Sequence, residues 1–158
     1  VSQLSHFDRD GASRMVDVGD KPVTVRRARA IGRVRMCAET LRLIRDGMVV
    51  KGDVLEVARL AAIQAAKRTS ELIPLCHVVS LDGISVQFSF PDAEILAIEA
   101  EARATARTGV EMEALVAVNV AALTVYDMCK SVDRAMIIDQ VRLEEKSGGK
   151  SGHFVRQS

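Results

Sequence analysis

An antiparallel sheet with helices packed on one face, a two-layer α+β sandwich, is the fold class that the sequence predicts. Three observations carry it: runs of alternating polarity that read as strands, capped stretches that read as helices, and the order in which the two follow one another.

From Thr24 to Met36 the even positions Ala28, Ala30, Gly32, Val34 and Met36 are small or apolar, while Arg27, Arg29, Arg33 and Arg35 occupy odd ones. This pattern predicts a strand with one charged face. Ala38 to Ile44 reads as a short helix ending near Gly47. Asp53 to Arg68 reads as a longer one, with Asp53 as N-cap and Glu56 in the third helical position. Apolar residues cover much of its circumference, so the second helix is expected to be largely buried. A loop with Pro74 follows, then ISVQFSF (84–90), with Ile84, Val86, Phe88 and Phe90 on one face. The alternating run from Ile95 to Ala104 completes an antiparallel hairpin.

Thr108 and Glu111 have the spacing of a capping box, which predicts that they open the strongly apolar helix from Val110 to about Ser131. A last strand from about Met136 to Leu143 leads into the tail KSGGKSG. The order β, α, β, β, α, β, with an extra short helix, suits a ferredoxin-like sandwich. With 158 residues, and neither a repeat nor a linker, one domain over 1–158 is expected.

Charge and composition narrow the function classes. The 22 basic residues comprise 16 Arg and 6 Lys and are matched by 21 acidic ones, leaving a net charge of +1. That balance offers no overall field for a nucleic acid, and five aromatics give few stacking surfaces. Cys37, Cys76 and Cys129 form no CxxC, which argues against a disulfide framework or zinc ribbon. The polar start VSQLSHFDRDGASR has no apolar signal region, and no run of 18 apolar residues predicts a membrane span. A soluble protein of the reducing cytosol, binding neither nucleic acid nor membrane, is the expectation.

Several residues could carry chemistry. Asp127 and Lys130 are three apart near the end of the long helix, on one face. From spacing alone they read first as a surface ion pair, and alternatively as a carboxylate orienting an acid/base ammonium. Lys146 and Lys150 flank two glycines whose amides could face an anion, or they belong to a flexible polar tail; the spacing is not that of a Walker A loop. Glu111 has a structural explanation in the capping box, and Glu113 has the general one of an acid in a first helical turn. His77 lacks companion ligands, since His6 and His153 lie near the termini, so no metal site is expected. Cys76 reads as a small buried thiol rather than a nucleophile. Lys51 and Lys67 flank the second helix about 24 Å apart along its axis, so they serve different pockets or one shared between subunits.

Taken together, the blocks MVDV (15–18), KGDV (51–54), AAKRT (65–69), LIPLCH (72–77), TGVEMEAL (108–115), YDMCK (126–130) and KSGGKSG (146–152) resemble the MoaC proteins, the cyclic pyranopterin monophosphate synthases of molybdenum-cofactor biosynthesis. The likeness spans nearly the whole chain. It implies a homohexamer, a trimer of dimers with active sites at the dimer interface. It also implies rearrangement of 3′,8-cyclo-7,8-dihydroguanosine triphosphate, a cyclised GTP derivative, into cyclic pyranopterin monophosphate with release of pyrophosphate. No redox cofactor is implied, and Mg²⁺ with the triphosphate is left open.

By the same resemblance, Asp127, Lys130 and Lys51 are catalytic. Leu75, Cys76, His77, Met112, Glu113 and Glu111 contact substrate, and Lys67, Lys146 and Arg26 complete a basic pocket. Proton transfers during ring rearrangement call for a titratable cation, with a lysine pKa lowered by neighbouring cations, and the leaving pyrophosphate calls for positive charge. Five of the six lysines fall inside these blocks, and only Lys21 lies outside them. One departure stands out: Val78 follows His77 where the family usually has proline, which would loosen the loop and lower activity, leaving both a fully active synthase and a less active paralogue open. The competing reading is an oligomeric module that binds a nucleotide or other phosphorylated ligand without turnover.

Overall fold

The computed structural model describes residues 10–157, so His6 and the first nine residues lie outside the described part. The elements follow as β1 (Thr24–Arg35), α1 (Ala38–Arg45), α2 (Val54–Lys67), α3 (Thr69–Leu72), β2 (Gly83–Ser89), β3 (Ile95–Ala106), α4 (Glu111–Cys129), β4 (Ile137–Ser147) and β5 (Phe154–Val155). The strands form one sheet in the order β2-β3-β1-β4-β5, every neighbour antiparallel. The first four have the ferredoxin-like order that the sequence predicts.

The helix layer lies on the sheet face made by the even residues of β1. Ala28, Ala30 and Val34 are buried there beside Leu96, Ile98, Ala100 and Ala102 of β3. They meet Ala114, Ala117, Val118, Ala121 and Val125 of α4, which also packs against α2. So many alanines let the helix approach closely. Gly32 marks the closest approach: a Cβ there would lie 2.6 Å from Val118 Cγ1 and 3.1 Å from Val141 Cγ2. By length and hydropathy α4 would also suit a membrane span. Its burial between sheet and α2 accounts for that composition.

Four expectations need correction. α2 is buried only along Val54, Ala58, Ala62, Ala65 and Ala66, while Val57 and Leu60 are exposed, because the subunit offers it one packing face. The capping box does not form: α4 begins at Glu111 with Val110 as N-cap, so Glu111 sits in the first helical position and cannot reach back as its partner. The loop after α2 contains the short α3. The tail is no flexible end, since β4 runs on through Ser147, a turn over 148–152 reverses the chain, and β5 pairs Phe154 with Lys146 and Val155 with Glu145. By contrast Asp53 caps α2 as expected, accepting from the Glu56 amide at 3.1 Å.

The start of α1 is capped from a distance. Its N-cap residue Cys37 supplies no side-chain cap. Instead Asp133, in the turn after α4 and only 5% exposed, accepts from the Cys37 amide at 2.8 Å, Thr40 Oγ1 at 3.4 Å and the Ala135 amide at 3.1 Å. The Cys37 amide bond leads in holding the Asp133 carboxyl below its usual range. Asp133→Ala is therefore expected to lower unfolding stability by about 1–3 kcal/mol. Because the folded-state pKa is depressed, the carboxylate's share is complete above the unfolded pKa and fades as pH falls through the folded one. Denaturant titrations from pH 7 downward should show wild type and variant converging in acid.

Candidate functional site

The expected site residues gather in separate places, two of them at opposite ends of α4. At its N-terminal end Leu75, Cys76 and His77 meet Glu111, Met112 and Glu113 across a cleft of about 300 Å³, which Val16, Val18 and Lys21 also line. His77 closes one side. Its Nε2 lies 2.6 Å from the Val16 carbonyl, which can only accept, so the ring donates and ties the 15–18 segment to the 75–77 loop. Val78, the departure from the family pattern, is 87% exposed, so its side chain lies in solvent, while Val79 lines the cleft.

The acids in this cleft differ. Glu113 is 4% exposed, and burial pushes its carboxyl above the usual range, with the charge of Glu111 adding to the effect. A carboxyl shifted that way exchanges protons nearer neutrality. Glu111 folds its carboxylate over Gly109, where any Cβ would overlap it. Burial, then the charge of Glu113, raises the Cys76 thiol, which disfavours the thiolate and fits the unreactive reading of that cysteine.

At the other end of α4, Lys130 Nζ donates to Asp127 Oδ1 at 2.6 Å. Lys51 Nζ, from the turn before α2, donates to the Asp127 carbonyl at 2.9 Å and lies 3.9 Å from Oδ2. The hydrogen bond from Lys130, its charge and then the charge of Lys51 hold the Asp127 carboxyl below its usual range. Lys130 moves the other way from the expected lowering: its bond to Asp127 and the charge of that carboxylate raise its pKa. The adjacent carboxylate outweighs the desolvation that acts the other way. From Glu113 to Asp127 is 14 residues of helix, or about 21 Å, so one subunit cannot bring both clusters onto one small ligand.

The basic pocket is dispersed as well. Lys67 ends α2 and lines neither this cleft nor the adjoining one. Lys146 contacts Ser151 Oγ across the 148–152 turn. Arg26 is 8% exposed, its Nε donating to the Ala106 carbonyl at 3.3 Å and a terminal nitrogen to the Arg107 carbonyl at 3.2 Å. Arg26 belongs to a second cleft of about 470 Å³ that shares Lys21, Thr108, Gly109 and Glu111 with the first. Sequence reasoning missed Lys21, Arg107 and the Val16–Val18 wall. The scarcity of lysine was the available signal for Lys21. Nothing local distinguished Arg107 among so many arginines. Among the described residues no three His, Cys, Asp or Glu side chains gather as a metal site.

A model of the MoaC family matches residues 15–149. The chain is 56% identical over 158 residues to a cyclic pyranopterin monophosphate synthase of Heliobacterium modesticaldum, covering 99% of both chains. It is 60% identical over 156 residues to one of Chloroflexus aurantiacus, covering 98% of this chain and 96% of that one. It is also 58% identical over 153 residues to cyclic pyranopterin monophosphate synthase 3 of Mycobacterium tuberculosis, covering 97% of this chain and 86% of that one.

The turn beside Arg26 allows a direct test. Gly148 has φ +97°, and a Cβ there would overlap the Val25 carbonyl. Gly148→Ala should cost about 1–2 kcal/mol through the left-handed backbone alone, plus the displacement of β1 or the turn. A lowered melting temperature with faster amide exchange at β5 checks this.

Proposed function

The chain belongs to the MoaC family, and from that premise we propose how its separated clusters carry out one reaction. It is a cyclic pyranopterin monophosphate synthase, a lyase of molybdenum-cofactor biosynthesis, converting the cyclised guanosine triphosphate to the pyranopterin product and pyrophosphate. The observation that carries this is identity of 54–60% to such synthases over nearly the full chain.

The proposed roles combine the family resemblance with the positions of these residues. The guanine-derived ring sits in the cleft of 75–77 and 111–113, with Glu113 accepting a hydrogen bond from it. Lys130, held as an ammonium by Asp127, donates protons during ring rearrangement. Asp127 orients it, and Lys51 serves as a second acid/base group or phosphate ligand. In the phosphoryl step a substrate hydroxyl oxygen bonds to the α-phosphorus as its proton passes to the acid/base group, Lys51 in its neutral form. The bond from that phosphorus to the bridging oxygen breaks, and pyrophosphate leaves with the electron pair. The rearrangement is redox-neutral, so it calls for no electron carrier.

The separation of about 21 Å along α4 supports a site shared between subunits, with the Asp127–Lys130 end of one helix completing the cleft of a neighbour. The proposed assembly is a homohexamer of three dimers, in the cytosol, each chain acting as a single catalytic domain.

The decisive assay supplies the cyclised triphosphate and follows pyrophosphate and pterin product. Wild type should yield both; absence of both, where a relative succeeds, defeats the proposal. Lys130→Arg should lose about 10²- to 10⁴-fold in turnover, since arginine does not deprotonate. Full activity in that variant would instead leave only phosphate binding for Lys130. Co-expressing Lys130→Ala with Glu113→Gln should restore turnover that neither shows alone, and failure to do so would remove the shared site.

The pH profile has a defined sign. With Asp127 depressed and Lys130 raised, that pair stays charged across neutrality. The acid limb of kcat/KM then belongs to Glu113, whose pKa is raised and whose accepting role needs the ionised form. The rate should fall as pH drops through that raised pKa, and Glu113→Gln should abolish the limb along with most of the activity.

A further inference from the structure

Lys130 does its proposed work from the surface, so what fixes its ammonium is the backbone from which it projects. The Lys130 and Asp127 side chains are 50% and 62% exposed, and the bond between them spans the last turn of α4. Lys130 is the C-cap of that helix, its amide donating to the Tyr126 carbonyl at 2.8 Å, and beyond it the chain turns away. A helix end has carbonyls without helical partners and holds its shape only through ties made from outside the helix.

Two such ties hold the chain that follows. The Val132 and Asp133 amides both donate to the Cys129 carbonyl, at 2.9 and 3.0 Å, which folds 130–133 into a turn. Asp133 then directs its carboxylate inward. Its Oδ2 accepts from the Cys37 amide at 2.8 Å, at the junction of β1 and α1, and its Oδ1 accepts from the Ala135 amide at 3.1 Å. Cys37 is a firm anchor, because the adjoining Met36 amide donates to the Glu94 carbonyl just before β3 at 2.9 Å. On the outer side Tyr126 donates its hydroxyl to the Arg134 carbonyl at 3.2 Å. Of these two ties, the one through Asp133 reaches another element.

We propose that Asp133 is a positioning residue for Lys130: its buried carboxylate anchors the 131–135 turn to the β1–α1 junction and so sets where the ammonium stands against Asp127. The proposal rests on the acid/base role given to Lys130 above and deepens it. A reacting group displaced by about 1 Å loses on the order of a hundredfold in rate. An exposed ion pair is too weak to resist such a displacement by itself. An amide cannot take over the task either. Both carboxylate oxygens accept from backbone amides, so an asparagine here would turn its NH₂ group toward one of those donors.

The test uses the full-length protein, well below the melting temperature of each variant. In Asp133→Asn, kcat for the cyclised triphosphate should fall about 10- to 100-fold with KM little changed. Tyr126→Phe, which loses an exposed hydroxyl and should fold, is expected to lower kcat about two- to fivefold. Val86→Ala removes core volume from β2 and controls for lost stability alone, so its kcat should match wild type. Carbon-13 titration of the Asp127 carboxyl gives a readout that lost stability does not move. Its depressed pKa should rise toward the ordinary carboxylate value in Asp133→Asn as the bond from Lys130 loosens. An Asp127 titration equal to wild type in folded Asp133→Asn overturns the proposal whatever the rate does, as does an equal fall of kcat in Val86→Ala. If Asp133→Asn does not fold, Tyr126→Phe decides: lowered kcat with a raised Asp127 pKa supports the role, and wild-type values of either overturn it. A wild type without turnover whose Asp127 titration still shifts in Asp133→Asn would defeat the assigned reaction and leave the positioning role standing.

Discussion

The close seat of α4 on the sheet is the constraint on which the rest of the molecule depends. Gly32 leaves room for Val118, and the alanines of β1, β3 and α4 let backbone approach backbone across the core. That contact immobilises a 19-residue rod. A helix of fixed pitch then sets the distance between whatever is attached at its ends. Glu113 is held where α4 enters the core and Asp127 where it leaves, and no side-chain motion brings them together. The separation of the two clusters therefore originates in core packing.

Each end of α4 is locked by contacts that also organise chemistry. At the exit, Asp133 caps α1 and Tyr126 donates its hydroxyl to the Arg134 carbonyl, so the turn following Lys130 is pinned on two sides. Lys51 reaches in from the start of α2 to the Asp127 carbonyl, which no longer has a helical amide to accept from further along. At the entrance, the helix starts at Glu111 instead of being capped by Thr108, which leaves Thr108 and Gly109 to form the shared wall of the two clefts.

The architecture was legible in the sequence because periodicity reports burial on each element separately. The charged and apolar faces of β1, the Asp53 cap and the β2–β3 hairpin all needed only local information. What escaped was non-local. The tail KSGGKSG looks unstructured because its glycines say nothing of Arg26, which packs beneath them from β1. The capping box failed because the same glutamate can fold over Gly109. The two clusters were recognisable as motif blocks, yet their separation appears only once α4 is laid out as a rod. The direction of the Lys130 shift likewise depends on the direct hydrogen bond to Asp127, which spacing alone does not establish.

The near-neutral total charge has a specific origin. Three arginines on the open face of the sheet are paired: Arg29 with Glu99 and Glu145, Arg35 with Asp139, Arg142 with Glu144. These pairs cancel in the sum and leave little field. The cations of the second cleft have no such partners, so the cleft contributes charge that the total conceals. Arginine thus occurs both as matched surface charge at these three positions and without a carboxylate at ion-pair distance, as at Arg26 and Arg107. Lysine divides similarly, since Lys51 and Lys130 are held by Asp127 while Lys21 and Lys150 face the cleft without a carboxylate. Where the counter-charge lies in the same subunit, as Asp127 does for Lys130, the contact fixes the ammonium in place; where it does not, as at Lys21, the positive charge is left facing the cleft.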